Sequence, residues 1–153
     1  MKFRMVDRIL AYEPRRSIRG AKTVSFEEYQ LKDAFGDEAH LPETLLLESL
    51  FQLGNWLIVL SSDFTQMGMV VRTERIAFDA PVRPGECLVM DLAVRRYRDD
   101  GILFDGKGCV AGRQVAVGIG CLAAPVPLAD YCDPEDLQVL FGEIHRPGKE
   151  PRT

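Results

Sequence analysis

At 153 residues and 46% hydrophobic composition, the chain is long enough for one well-buried core and too short for two ordinary domains. A formal net charge of −4 and a pI near 5.2 argue against a nucleic-acid phosphate backbone as the main partner, since such binders carry a basic face. The four cysteines form no C-x-x-C pair, and Met1 to Ser17 is studded with charges rather than built like a signal segment, so free thiols in a reducing cytoplasm are expected.

No internal repeat or linker divides the chain, so its elements must share one core. Strand candidates at 4–12 and 18–28 come first. From Pro42 to Leu60 the sequence is apolar almost all round, which predicts a helix buried on most sides. It approaches transmembrane length, but Glu48, Gln52 and Asn55 interrupt it, and a soluble core helix fits better than a membrane span.

Further strands are predicted near 69–79, 86–98, 102–111 and 114–123. In the second of these Leu88, Met90, Leu92 and Val94 alternate with Val89, Asp91, Ala93 and Arg95. Asp99-Asp100-Gly101 and Ala111-Gly112-Arg113 read as hairpin turns. The expected class is α+β, an antiparallel sheet with one long central helix. In the tail, Asp133 caps a helix that Pro134, Glu135 and Asp136 open, and Leu137, Leu140, Phe141 and Ile144 form a stripe to dock it. Pro147 to Thr153 is expected to fray.

Glu48 is the acid inside the apolar helix, with Gln52 one turn and Asn55 two turns further on, so three polar groups share one stripe. Desolvation raises a carboxyl's proton affinity and suits it to proton transfer near neutral pH. The other reading is a glutamate that hydrogen-bonds backbone or Gln52. His40 and His145 are too few for an ordinary zinc site, so no metal or other cofactor is expected, and His145 reads as a surface residue. Arg95, Arg96 and Arg98 form either a solvated strand face or a surface for an acidic carrier protein.

The run Pro42-Glu43-Thr44-Leu45-Leu46-Leu47-Glu48-Ser49-Leu50-Phe51-Gln52 resembles the helix motif P-G-x-L-x-x-E-A-x-x-Q of the β-hydroxyacyl-acyl-carrier-protein dehydratases. Met5-Val6-Asp7-Arg8-Ile9-Leu10 is similar to that family's opening L-V-D-R-V-L, and Phe78-Asp79-Ala80-Pro81-Val82-Arg83-Pro84-Gly85-Glu86 to its F-x-x-P-V-x-P-G-D. The resemblance implies a hot-dog fold, with the sheet wrapped around the helix, over residues 1–124, followed by a helical extension and tail over 125–153. It implies that two subunits build each site and that Glu48 is the catalytic acid, with Gln52 its companion. A histidine would take the α-proton of a β-hydroxyacyl thioester while the acid assists loss of water, and backbone N–H groups near the helix start would polarise the thioester carbonyl.

The family loop H-F-P-G-x-P-x-x-P-G aligns with Ala34-Phe35-Gly36-Asp37-Glu38-Ala39-His40-Leu41-Pro42-Glu43, so Ala34 stands where the histidine belongs and Glu43 where a helix-start glycine belongs. A methyl group moves no proton, and His40 is the one nearby substitute base. Phe35, Gly36, Glu43, Trp56 and Phe78 are candidate substrate contacts, and Phe64 a further tunnel candidate, although the aromatic residues also suit core packing. The leading expectation is a cytoplasmic, dimeric, dehydratase-like protein of fatty-acid or polyketide-type metabolism that binds acyl-carrier-protein or coenzyme A thioesters. It would be impaired alone, and completed by a histidine-bearing homologue. The alternatives are a thioesterase using Glu48 and a non-catalytic acyl-binding subunit.

Overall fold

The computed structural model of the protein describes residues 4–27 and 39–148. Seven strands, β1 (Arg8–Glu13), β2 (Ser17–Thr23), β3 (Gln66–Arg72), β4 (Arg75–Phe78), β5 (Cys87–Arg98), β6 (Gly101–Val110) and β7 (Arg113–Pro127), accompany the helices α1 (Glu43–Ser61) and α2 (Pro134–Ile144). They form one antiparallel sheet of order β1-β2-β5-β6-β7-β3, with β4 also paired to β7.

α1 is apolar on nearly every side and cannot rest on a flat sheet with half its surface in water. The sheet wraps it, and the helix contacts β2, β3, β5, β6 and β7. Leu46, Leu50, Leu53, Leu57 and Ile58 are fully buried against Leu88, Met90 and Leu92 of β5 and Ile102 and Phe104 of β6. The period-two pattern read from β5 therefore faces the helix. By length and hydropathy α1 would also pass for a membrane span, but its environment here is the interior of a sheet.

α1 begins without a side-chain cap. The Pro42 carbonyl accepts from the Leu45 and Leu46 N–H groups at 2.9 and 3.0 Å, while the Leu41 N–H donates to Val82 O at 2.7 Å and ties the helix start to the loop before β5. It ends where Asp63 and Phe64 turn into the left-handed region, at φ 52° and 58°.

The hairpins at Asp99-Asp100 and Ala111-Gly112 form as expected. In the second, both central residues have positive φ (47° and 78°), the geometry that matches the twist of the flanking strands. The strand expected over 69–79 instead divides into β3 and β4. Both pair with β7, at Leu122–Pro127 and Ala116–Ile119 respectively, and the register breaks where Gly120 takes φ +61°. There the Gly120 N–H donates to Asp105 Oδ1 at 2.8 Å, and the Glu74 side chain occupies the space a Cβ would need.

The strand expected over 4–12 starts only at Arg8, because Met5 and Val6 are buried and the Met5 N–H is bound to a helix side chain. The strand expected over 18–28 stops at Thr23. Beyond it Val24 still exchanges backbone bonds with Gly85 and Glu86, and residue 28 lies outside the described residues.

β7 continues to Pro127, carrying the sheet into the segment assigned to the extension. Asp133 caps α2 as expected, its side chain accepting from Glu135 N at 2.9 Å. The helix docks through Phe141, whose ring lies 5.9 Å from Tyr12, 6.1 Å from Trp56 and 6.1 Å from Phe64. His145 is not the surface residue expected, because its ring stacks on Phe141 at 4.7 Å and is half-buried. The Arg146 N–H donates to Ile9 O at 2.9 Å, so the tail lies along the outer edge of β1. Of the segment expected to fray, only Pro147 and Gly148 are described, and they form a turn.

Cys87, Cys109 and Cys121 are free thiols, and burial, reinforced by Asp105, pushes the Cys121 thiol up to about 11. Arg95 pairs with Asp105 at 2.7 Å, which gives part of the basic cluster a structural use on the strand face.

The helix backbone comes close to the sheet at Gly54, where an added Cβ would stand 2.8 Å from the Phe104 ring and 3.2 Å from Leu92. Gly54→Val should lower unfolding free energy by about 1–3 kcal/mol through overpacking, measurable as a reduced urea midpoint. An unchanged midpoint would show that Phe104 gives way freely.

Candidate functional site

The polar stripe of α1 is divided between structural and unspent groups. Asn55 Oδ1 accepts from Gly68 N at 2.9 Å and ties the helix to β3. Gln52 Oε1 accepts from Met5 N at 2.8 Å and holds the N-terminal segment across the helix, while its Nε2 donates to Glu48 Oε1 at 2.9 Å. The carboxylate is thereby oriented from one turn away. Among the described residues no protein donor is bound to Glu48 Oε2. Buried Ser49, beside Glu48, returns its hydroxyl to Leu45 O at 2.8 Å and takes no part in the stripe.

Glu48, Gln52, Asn55 and Trp56 open onto a cleft of about 280 Å³. Val6 and Val59 line its walls, as do Leu137, Leu140 and Ile144 of α2, and Arg4 sits with them. Glu48 is half-buried rather than enclosed as the sequence suggested. The α2 wall was missed at sequence level: the stripe predicts that the helix docks, but nothing in its spacing says that it docks beside the acid.

A second cleft, of about 260 Å³, lies at the start of α1 and is lined by His40, Leu41, Glu43, Leu46, Phe78, Asp79, Ala80 and Pro81. Glu43 is exposed in the first helical turn, where a carboxylate complements the positive helix end. Asp79, also missed from sequence, is held at its rim by Gln114 Nε2 at 2.8 Å. The candidates thus separate within one chain: Glu48, Gln52 and Trp56 share one cleft, and His40, Glu43 and Phe78 the other. Phe64 packs on Phe141 and does not line either cleft. Ala34, Phe35 and Gly36 lie outside the described residues. Among the described residues no group of three or more His, Cys, Asp or Glu is placed to hold a metal ion.

A sheet wrapped around a helix that bears an acid defines the hot-dog class, and solved structures agree. A protein of Streptococcus mutans bound to acetyl CoA superposes with a TM-score of 0.61 at 12% identity, over 78% of this chain and 88% of that one. A hot-dog-like protein from Thermanaerovibrio acidaminovorans gives 0.61 at 18% identity, over 82% and 90%. Zebra fish thioesterase superfamily member 2 gives 0.58 at 14% identity, over 78% and 79%. Residues 1–118 match the family model described as a FabA-like domain, and the chain belongs to that family. It is 32% identical over 117 residues to the 3-hydroxyacyl-[acyl-carrier-protein] dehydratase FabZ of Oleidesulfovibrio alaskensis, covering 74% of this chain and 76% of that protein. The FabZ of Aliarcobacter butzleri is 31% identical over 118 residues, covering 73% and 80%.

Replacing Gln52 with Leu should leave the Met5 N–H without its partner and cost about 1–3 kcal/mol of stability. The check is denaturant unfolding together with limited proteolysis, where faster cleavage near Met5 is expected. A Gln52→Leu protein as stable and as resistant as the parent would show that water replaces the amide without loss.

Proposed function

We propose that this chain binds β-hydroxyacyl thioesters of an acyl-carrier protein or coenzyme A and supplies the acid half of a dehydration site, in cytoplasmic fatty-acid or polyketide-type metabolism. The observation that carries this reading is the Glu48–Gln52 pair: a carboxylate fixed through one oxygen, with the other bound to no donor among the described residues, on the wall of a part-apolar cleft. In the elimination, Glu48 gives a proton to the departing β-hydroxyl, which leaves as water. The α-proton goes to a base, and the electron pair of the broken C–H bond forms the alkene. Ala34 cannot be that base, and His40 opens onto the other cleft of the same chain. The chain alone is therefore a poor dehydratase, and a histidine-bearing relative pairing with it would complete the Glu48 site.

Dimerisation through β3 fits the open sheet edge. The β1 edge is met by the tail at Ile9, whereas among the described residues β3 pairs only with β7 and exposes Met69 and Val71. Met69→Glu combined with Val71→Glu should shift the protein to a monomer in analytical ultracentrifugation, and an unchanged sedimentation profile would place the interface elsewhere.

For the chemistry, enoyl-thioester formation from a β-hydroxyacyl substrate is the readout. Loss of a general base costs about 10²–10⁴-fold, so Ala34→His should recover a gain of that order, and Glu48→Gln in that background should remove it. The same Glu48 dependence is expected when the unaltered chain is mixed with a histidine-bearing relative. Release of free thiol without alkene, dependent on Glu48, would assign a thioesterase instead. Thioester binding with neither product would leave an acyl-binding subunit.

A further inference from the structure

We propose that α2 is the chain-length selector of the Glu48 cleft, with Leu137 and Leu140 forming the wall against which the acyl tail of a bound thioester packs. The proposal rests on the reading of Glu48 as the acid of a thioester site, and it adds an element that lies wholly beyond the family match, which ends at residue 118.

The helix is anchored by its C-terminal end and lines space with one face. Phe141 packs among Tyr12, Trp56 and Phe64, Ile144 is only 8% exposed, and the Arg146 N–H is bonded to Ile9 O. These contacts fix the C-terminal half against β1 and α1. Leu137 and Leu140 line the cleft yet stay partly exposed, whereas Val139 on the outer side is 67% exposed. Leu140 packs against the core as well, so the two leucines present an apolar surface to the open cleft from a supported position.

That volume has the polarity of an amphiphile's imprint. Glu48 and Gln52 stand where a hydroxyl or carbonyl finds partners, and Trp56, Leu137, Leu140 and Ile144 provide an apolar continuation. A hydrocarbon chain joined to an oxygenated head satisfies both parts, while a wholly polar ligand would strip water from the leucine wall without return. At about 280 Å³ the cleft lies at the small end of ligand sites, which run to roughly 1,000 Å³. The cleft therefore favours a medium acyl chain over a long one, which would extend past α2 into water.

The test uses the full chain and calorimetric binding of butanoyl-, octanoyl- and hexadecanoyl-coenzyme A, which differ only in the tail. The unaltered protein should prefer octanoyl to hexadecanoyl. Leu140→Trp should weaken octanoyl binding about tenfold or more while sparing butanoyl, and Leu140→Ala should improve hexadecanoyl binding by a similar factor, since each methylene in an apolar pocket carries roughly a tenfold discrimination or more. Val139→Trp, on the outer side of the same helix, should leave the profile unchanged. Leu137→Phe repeats the test one turn away if circular dichroism shows that Leu140→Trp does not fold. An identical length profile in the parent and the cleft variants overturns the role of α2 while leaving the thioester site in place. Absence of binding by the parent for all three thioesters overturns both.

Discussion

A helix that is apolar on almost every side has to be covered on every side, and α1 imposes that requirement on the rest of the molecule. Burying each large aliphatic side chain is worth about 1.5–3 kcal/mol, and Leu46, Leu50, Leu53, Leu57 and Ile58 are all fully buried. A sheet reaches only part of a helix's circumference even when strongly curled. The remaining gap, between the β1 and β3 edges, is partly closed by Met5, Val6 and α2. The cleft beside Glu48 is what these two segments leave open.

The same requirement explains why the polar stripe is so unequal in its uses. A polar group on a core helix is tolerated where it finds a partner, and Asn55 and Gln52 find backbone N–H groups of the segments that cover the helix, Gly68 of β3 and Met5 of the N-terminal run. Both side chains act as ties. Glu48 is bound to Gln52 through one oxygen and holds no covering segment in place. A carboxylate oriented but not consumed by the fold is the arrangement that general acid catalysis asks for, and the packing of α1 alone gives no reason to keep it.

Much of this was legible in the sequence where the signal was local. The apolar run placed α1, the alternation placed β5, and Asp133-Pro134 placed the start of α2, because each depends on neighbours in the chain. The division of 69–79 into β3 and β4 was not legible there. Neither Thr73 nor Glu74 breaks strands, and the bend comes from Gly120 on the partner strand, whose consequence falls on residues far away in sequence. The truncated first strand failed for the same reason: Met5 and Val6 have strand-like residues, but the Gln52 amide captures the Met5 N–H. At the site, Glu48 and Gln52 stood out as polar groups in an apolar run. The α2 wall and Asp79 did not, since which surface an amphipathic stripe meets is decided by tertiary geometry.

The separation of His40 and Glu48 onto two clefts bears on how a chain with Ala34 can still take part in chemistry. In the proposed two-fold dimer the loop of each subunit would meet the helix of the other, and the two sites would be equivalent only when the subunits are. Two copies of this chain would face Glu48 with Ala34 twice and build no acid–base pair in those positions. The proposed pairing with a histidine-bearing relative would break the equivalence: the relative's histidine would meet Glu48, and the relative's own acid would meet Ala34. Such a dimer would have one competent site, bordered by α2 of this chain. Losing the base would then give this chain's cleft, with its own wall, sole control over which acyl chain the assembly accepts.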